Sequence, residues 1–267
     1  PGNRNSGVQF VSRSTVWGAH GAAATAHPRA TLIGIDTLRR GGSAIDAAIA
    51  INAALGFLEP TANGIGGDAF CLMWDPAQKK VVGFNGSGNS PRGLSLATAR
   101  SKAGADGYLP KYGAVTVNVP GTVDAWWSAH QRYGKLPWKD ILLPVAELCE
   151  EGVPMPQLIA WYLQRNMAGF DASSGIIEEN DNRKKVYAAI GRTPAVGEVF
   201  ANPHLGRTLR LIAEGGRDAF YEGEIADHIE RYFRRIGGWM TKADLAAHNS
   251  EWVEPIRTDY RGVDVYG

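Results

Sequence analysis

The run Ala44–Leu58 constrains the fold more than any other part of the chain, because Asp46 and Asn52 are its only strongly polar members among Ala, Ile, Leu, Gly and Phe. A helix that is apolar all round has no face to offer water, so it must lie buried between other elements. Its start is written in the sequence: Ser43 stands at the N-cap position and a carboxylate, Asp46, follows at the third helical position, a capping box with Asp in place of Glu. The spacing predicts a central helix packed on both sides.

The elements around it follow from turn and cap residues. Val16–Thr25 reads as a strand, after which His27-Pro28 opens a helix over about Arg29–Arg40 that ends at Gly41-Gly42. Gly64-Ile65-Gly66-Gly67 is a turn, and the apolar stretches Ala69–Trp74 and Lys80–Asn85 flank Asp75-Pro76 as a hairpin. Val115–Val119 reads as a further strand closed by Pro120-Gly121, with Thr122 as the cap of a helix through Trp126, Trp127 and Tyr133. More helices fit Leu136–Glu151, Leu205–Glu214, Glu224–Ile236 and Lys242–His248, the last again capped, by Thr241 with Asp244. A final strand is expected over Tyr260–Tyr266, and a strand with nothing after it leaves a sheet edge, so more polypeptide is expected beyond Gly267. With no repeat or linker in view, residues 1–267 read as a single α+β domain.

Composition removes several function classes. The chain has 267 residues and is 44% apolar, enough for a sizeable core. Its 28 basic and 27 acidic residues are spread along the sequence for a net charge of +1, which gives no one-signed field to draw in nucleic acid or an acidic membrane. A small-molecule substrate is the expectation. Cys71 and Cys149 lie in apolar stretches without metal or disulfide spacing and read as buried thiols. Pro1–Phe10 lacks the pattern of a secretory signal, and no apolar run is long enough to span a bilayer, so the expected location is cytoplasmic, or periplasmic or secreted if a signal has been removed.

The recognisable motifs are few. Gly64–Ala69 matches the glycine-rich dinucleotide fingerprint in letters, but that site needs a strand before it and a helix after it, and here the order is reversed. It reads instead as a helix-to-strand turn in which Asp68 can bond backbone amides. No G-x-S-x-G elbow surrounds Ser87 or Ser90, and the six histidines, His20, His27, His130, His204, His228 and His248, lack the spacing of a metal site. His27 reads as a helix-entry residue. Neither a metal nor a cofactor is expected. The stretch Asn85–Gly93 directly follows a core strand and carries backbone donors, hydroxyls and Arg92; a carboxylate-binding turn and an ordinary connecting loop are both open readings.

Taken in order, several segments resemble the γ-glutamyltransferase family. Gly41–Ala48 is similar to its G-G-N-A-V-D-A-A helix start, Gly64–Phe70 to its G-x-G-G-G-x-F turn, Val119–Val123 to its P-G-T-V segment, and Tyr133–Trp138 to its Y-G-K-L-P-W. Phe220–Gly223, Gly237-Gly238, Asp244–Ala247 and Tyr260–Gly262 fall where that family has F-Y-x-G, G-G, D-L-A-x-Y and Y-R-G. The resemblance implies the large-subunit portion of an Ntn-hydrolase αββα sandwich, made as a precursor that cuts itself. It implies that no catalytic residue lies in this chain: a small subunit supplies an N-terminal threonine, in a heterodimer or a dimer of heterodimers. The implied substrate is a γ-glutamyl or related amide, with Ser87, Gly88, Asn89 and Arg92 as the substrate-binding residues. One departure matters. Aligned on Pro91, Ser87 stands where the family's R-E-x-A-P motif has the arginine that pairs with the substrate α-carboxylate, a contact of about 1.5–3 kcal/mol. Amidohydrolases or acylases of oxamate- or glutaryl-type acids, and a catalytically inactive scaffold, are therefore the alternatives.

Overall fold

The computed structural model of the protein describes residues 15–267, so the polar start at Pro1–Phe10 lies outside the described residues. Helix α1 (Pro28–Arg39) begins where His27-Pro28 places it, with Nδ1 of His27 accepting from the Arg29 amide at 3.1 Å. Helix α2 (Ala44–Leu58) carries the full capping box: the Asp46 amide donates to Ser43 Oγ at 3.1 Å, and the Ser43 amide donates to Asp46 Oδ2 at 2.8 Å. The same oxygen accepts from the Lys135 and Leu136 amides at 2.9 and 3.1 Å, although Asp46 is 0% exposed. These donors make a buried carboxylate tolerable and tie the start of the central helix to a turn far along the chain.

A hairpin follows, β1 (Ala69–Asp75) and β2 (Lys80–Gly86), antiparallel with Cys71 opposite Phe84. Asp75 holds its turn by accepting from the Ala77 and Gln78 amides, and the Tyr133 hydroxyl that donates to it is the main cause of a carboxyl pKa lowered to about 2. Then come α3 (Leu96–Ser101), α4 (Thr122–Tyr133), α5 (Trp138–Glu151), β3 (Val153–Pro154), α6 (Gln157–Ala172), α7 (Asp181–Tyr187), β4 (Val199–Phe200), α8 (Pro203–Tyr221), α9 (Glu224–Arg235), α10 (Lys242–Ala246), β5 (Glu251–Val253), β6 (Arg257–Tyr260) and β7 (Val263–Tyr266). The sheet order β1-β2-β5 makes β2 the central strand, and α4 packs against β1 and β2. α2 packs against α1, α4 and α5, and α5 against α8, where Leu142, Val145, Leu209 and Ile212 are fully buried. Each such side chain contributes about 1.5–3 kcal/mol of burial, and this helical layer meets the sheet through α4, which packs on α2 and α8 as well as on the strands.

Several expected elements take a different form. Val16–Thr25 contains no strand, and Val16 and Trp17 are exposed. At Val115–Val119 the chain makes a 3₁₀ turn, Ala114–Thr116, after which the Val119 amide donates to Asn89 O rather than to a ladder. Thr122 is the first helical residue and not the cap, its hydroxyl donating to Gly67 O at 2.8 Å. Tyr260–Tyr266 is not one strand: Arg261 and Gly262, at φ 55° and 79°, form the two-residue turn of the β6–β7 hairpin, as a turn with positive φ at both central positions should. The helix expected at Leu205–Glu214 runs on to Tyr221 through a kink at Gly216. Of the facing sheets expected of a whole sandwich, the described residues supply one three-stranded sheet and two two-stranded ribbons. β1 turns Phe70, Leu72 and Trp74 to solvent, at 69%, 47% and 60% exposure. No helix among the described residues is long and apolar enough to cross a membrane.

Candidate functional site

Three turns interlock at the end of the β1–β2 hairpin. The first is Gly64–Asp68, the second the loop from Asn85 to Gly93, and the third Val119–Thr122. Gly67 O accepts from the Gly121 amide, the Thr122 amide and the Thr122 hydroxyl, at 2.9, 3.0 and 2.8 Å. The Gly88 amide donates to Asp68 Oδ1 at 3.0 Å, and the Val119 amide to Asn89 O at 2.9 Å. The backbones approach so closely that side chains are excluded: a Cβ on Gly88 would stand 1.6 Å from Val119 O, and one on Gly121 1.9 Å from Gly86 O.

Three amides and one hydroxyl of this loop are occupied by other groups of the protein. The Ser87 amide and hydroxyl both donate to Asn85 Oδ1, at 3.0 and 2.8 Å. The Arg92 amide donates to Asp244 Oδ1 at 3.1 Å. Burial pushes the Asp244 carboxyl up, but bonds from Thr241 and Arg92 outweigh it and leave the pKa below its ordinary value. Of the four residues expected to bind substrate, Ser87 and Gly88 are half-buried neighbours, whereas Asn89 and Arg92 are exposed. The Arg92 guanidinium forms no ion pair among the described residues.

Beneath the turns lies a buried polar cluster that sequence reasoning missed. Asp124, 2% exposed, accepts from Arg217 Nε and, at 2.7 Å, from the Ser250 amide. Arg217 also donates to His248 O and lies over the Tyr221 ring at 4.7 Å, and the Tyr221 hydroxyl donates to Pro120 O at 2.7 Å. His248 stacks on Tyr221 with Nε2 near Gly121, and neither His248 Nε2 nor Ser250 Oγ has a hydrogen-bond partner among the described residues. Burial pushes the His248 pKa down, against the pull of Asp124. Only the Thr241–Asp244 capping box carried a sequence signal here; the pairing of Asp124 with Arg217 joins positions too far apart for spacing to reveal.

Beside the turns, and sharing Asp68 with them, is a cleft of 890 Å³. Its walls are Ile51 and Asn52 of α2, Phe70 and Cys71 of β1, Trp126 of α4 and the turn at Gly66–Asp68. No nucleophile meets a base in these surroundings. Ser87 Oγ donates to an amide oxygen that cannot take its proton, and burial raises the Cys149 thiol pKa to about 12.

This arrangement of a hairpin end, interlocked glycine turns and a helical floor is the α+β architecture of Ntn-hydrolase-type enzymes. The solved γ-glutamyltranspeptidase of Helicobacter pylori superposes with a TM-score of 0.85 at 28% identity, covering 95% of this chain and 71% of that one. The cephalosporin acylase of Bacillus halodurans superposes with a TM-score of 0.81 at 40% identity, covering 97% and 49%. The chain belongs to the γ-glutamyltranspeptidase family, whose profile matches residues 30–267. Among its relatives, the glutathione hydrolase-like YwrD proenzyme of Bacillus subtilis is 33% identical over 90% of this chain and 44% of the relative, and glutathione hydrolase 2 of Arabidopsis thaliana is 33% identical over 93% and 41%. The chain thus spans less than half the length of these relatives.

Proposed function

We propose that residues 1–267 are one domain, the N-terminal part of the large subunit of a self-processing Ntn-type enzyme that hydrolyses or transfers the acyl group of a γ-glutamyl or related amide. The nucleophile is then an N-terminal threonine on polypeptide outside this sequence. Its hydroxyl attacks the amide carbonyl while its own α-amine takes the proton; the amine leaves with that proton, and the acyl ester passes to water or an acceptor amine. The open apolar surface supports a missing partner: Phe70, Leu72 and Trp74 on the sheet face, and Ala48 and Ile51 on the cleft side of the otherwise buried α2. The Ser87–Gly88 loop is read as the acyl pocket because, aligned on Pro91, it stands where the family has its substrate-carboxylate motif.

The observation that carries the reading within this family is the neutral side chain at Ser87. With its amide and hydroxyl both given to Asn85, it offers no bidentate cation to an α-carboxylate. The 40% identity to a cephalosporin acylase favours an acylase-type substrate over glutathione. The test is mass spectrometry of the full-length gene product together with hydrolysis of acyl anilides. A second, threonine-started polypeptide and turnover of a non-γ-glutamyl anilide are expected. An uncut, inactive product would make the protein a scaffold, and turnover of the γ-glutamyl anilide alone would refute the reading of Ser87.

A further inference from the structure

Behind the interlocked turns, His248 is 4% exposed and lies between two fixed surfaces. On one side its ring stacks on Tyr221, with centroids 5.6 Å apart, and the Tyr221 hydroxyl is held in place by donating to Pro120 O and accepting from the Asp124 amide. On the other side Nε2 faces Gly121 so closely that a Cβ there would stand 3.2 Å from it. The Gly121 amide donates to Gly67 O at 2.9 Å, and the next residue, Asp68, holds the Gly88 amide at 3.0 Å. The imidazole is therefore wedged beneath the Val119–Thr122 turn, and a short run of backbone contacts joins it to the loop read as the acyl pocket.

A neutral ring suits this wedge and a cation does not. The cation carries an N–H on both nitrogens, and Nε2 has no acceptor among the described residues. Arg217 of α8 lies over the same Tyr221 ring and donates to His248 O, so it opposes a second positive charge. Asp218 and Glu222 sit on the Arg217 guanidinium, at 3.5 and 3.6 Å. Asp124 of α4 attracts the ring but is already held by Arg217 and the Ser250 amide. Asp68, beyond Gly121, is the other attraction, and it is the carboxylate that clamps the loop. Burial outweighs both and pushes the His248 pKa down.

Resting on the reading of the Ser87–Gly88 loop as the acyl pocket, we propose that His248 is a positioning residue for acyl transfer: neutral, it braces Gly121 and through it the loop, and on taking up a proton it releases the brace and turnover falls. The new charge then draws on Asp68 in competition with the Gly88 amide, so the loop loosens at the clamp that fixes it.

The acid limb of kcat/KM in the full-length enzyme tests this, with whichever of γ-glutamyl, glutaryl and butyryl anilides it turns over best. The threonine α-amine must be unprotonated to act as the base, and that one proton gives log kcat/KM a slope of about one on the acid side. A second proton, on His248, should steepen the limb towards a slope of about two, read down to the lowest pH at which near-ultraviolet circular dichroism still shows the folded enzyme. His248→Gln should hold the slope near one and, at that pH, keep about three-fold or more of the fraction of its pH 8 activity that the unmodified enzyme keeps. His248→Phe, which retains a ring on Tyr221 but cannot titrate, should do the same. A merely structural role would lower kcat/KM alike at every pH and leave the slope as it was. That result, or a slope of about one in the unmodified enzyme, overturns the proposal while leaving the acyl-transfer reading in place. Failure to turn over any of the three anilides sinks that reading and this inference with it.

Discussion

Replacing Gly88 by alanine tests whether the interlocked turns set the site. The new Cβ would lie 1.6 Å from Val119 O and 2.6 Å from the carbonyl carbon, both main-chain atoms that no rotamer change can move aside. A relaxed carbon–oxygen contact is roughly 3.3 Å, so one backbone must retreat by roughly 1.7 Å. That movement exceeds the tolerance of the two bonds clamping the loop, Gly88 N to Asp68 at 3.0 Å and Val119 N to Asn89 O at 2.9 Å. Losing a charge-assisted bond and a neutral one costs about 2–4 kcal/mol. A shift of about 1 Å in a positioning element lowers kcat/KM by about a hundred-fold. Urea unfolding and anilide turnover of full-length Gly88→Ala measure the two effects. Gly169→Ala, inside α6 where the Cβ meets no atom within 4 Å, is the control expected to leave activity unchanged and to add up to about 1 kcal/mol of stability. A Gly88→Ala enzyme with unaltered stability and activity would refute the claim that the 119–122 turn braces the pocket loop.

Asp124→Ala leaves Arg217 without its best partner and the Ser250 amide unbonded, and should lower stability by about 3–5 kcal/mol in urea titrations; a loss below about 1 kcal/mol would show the pair to be dispensable. Burial lowers the His248 pKa below 6.5, so its contribution is intact above pH 6.5 and declines as pH falls, because the unfolded chain binds a proton that the folded chain resists. His248→Gln should therefore lose less stability than wild type between pH 7 and about pH 5, while His27, shifted the same way, contributes equally to both; parallel pH curves would discount His248. Ser87→Arg should restore a carboxylate contact and lower KM for a γ-glutamyl anilide by about ten-fold, whereas an unchanged KM would place the loop away from the substrate head.

What could be read from the sequence was local. The capping boxes at Ser43–Asp46 and Thr241–Asp244, the proline-led start of α1 and the β1–β2 hairpin all depend on residues a few positions apart or on a single turn, where side-chain chemistry dictates backbone conformation. Helix α6 went unread even though Ile159, Leu163 and Met167 bury one face at helical spacing, because Leu158, Trp161 and Tyr162 stand exposed around it and blur the stripe. The family resemblance also came from sequence, since each motif is a short run in order.

Tertiary structure alone decided which groups are left for a ligand. In the turn Asn85–Gly93, Asp68 and Asp244 arrive from other segments and occupy the Gly88 and Arg92 amides. Asp46 caps its own helix by a local rule, yet its hold on Lys135 and Leu136 is created by packing. Asp124, Arg217 and His248 become one cluster only when α4, the kinked end of α8 and the segment after α10 converge. Hydrogen-bond donors and charges are satisfied by whatever lies within about 3 Å in space, and for a loop at a sheet end those neighbours come from distant parts of the chain.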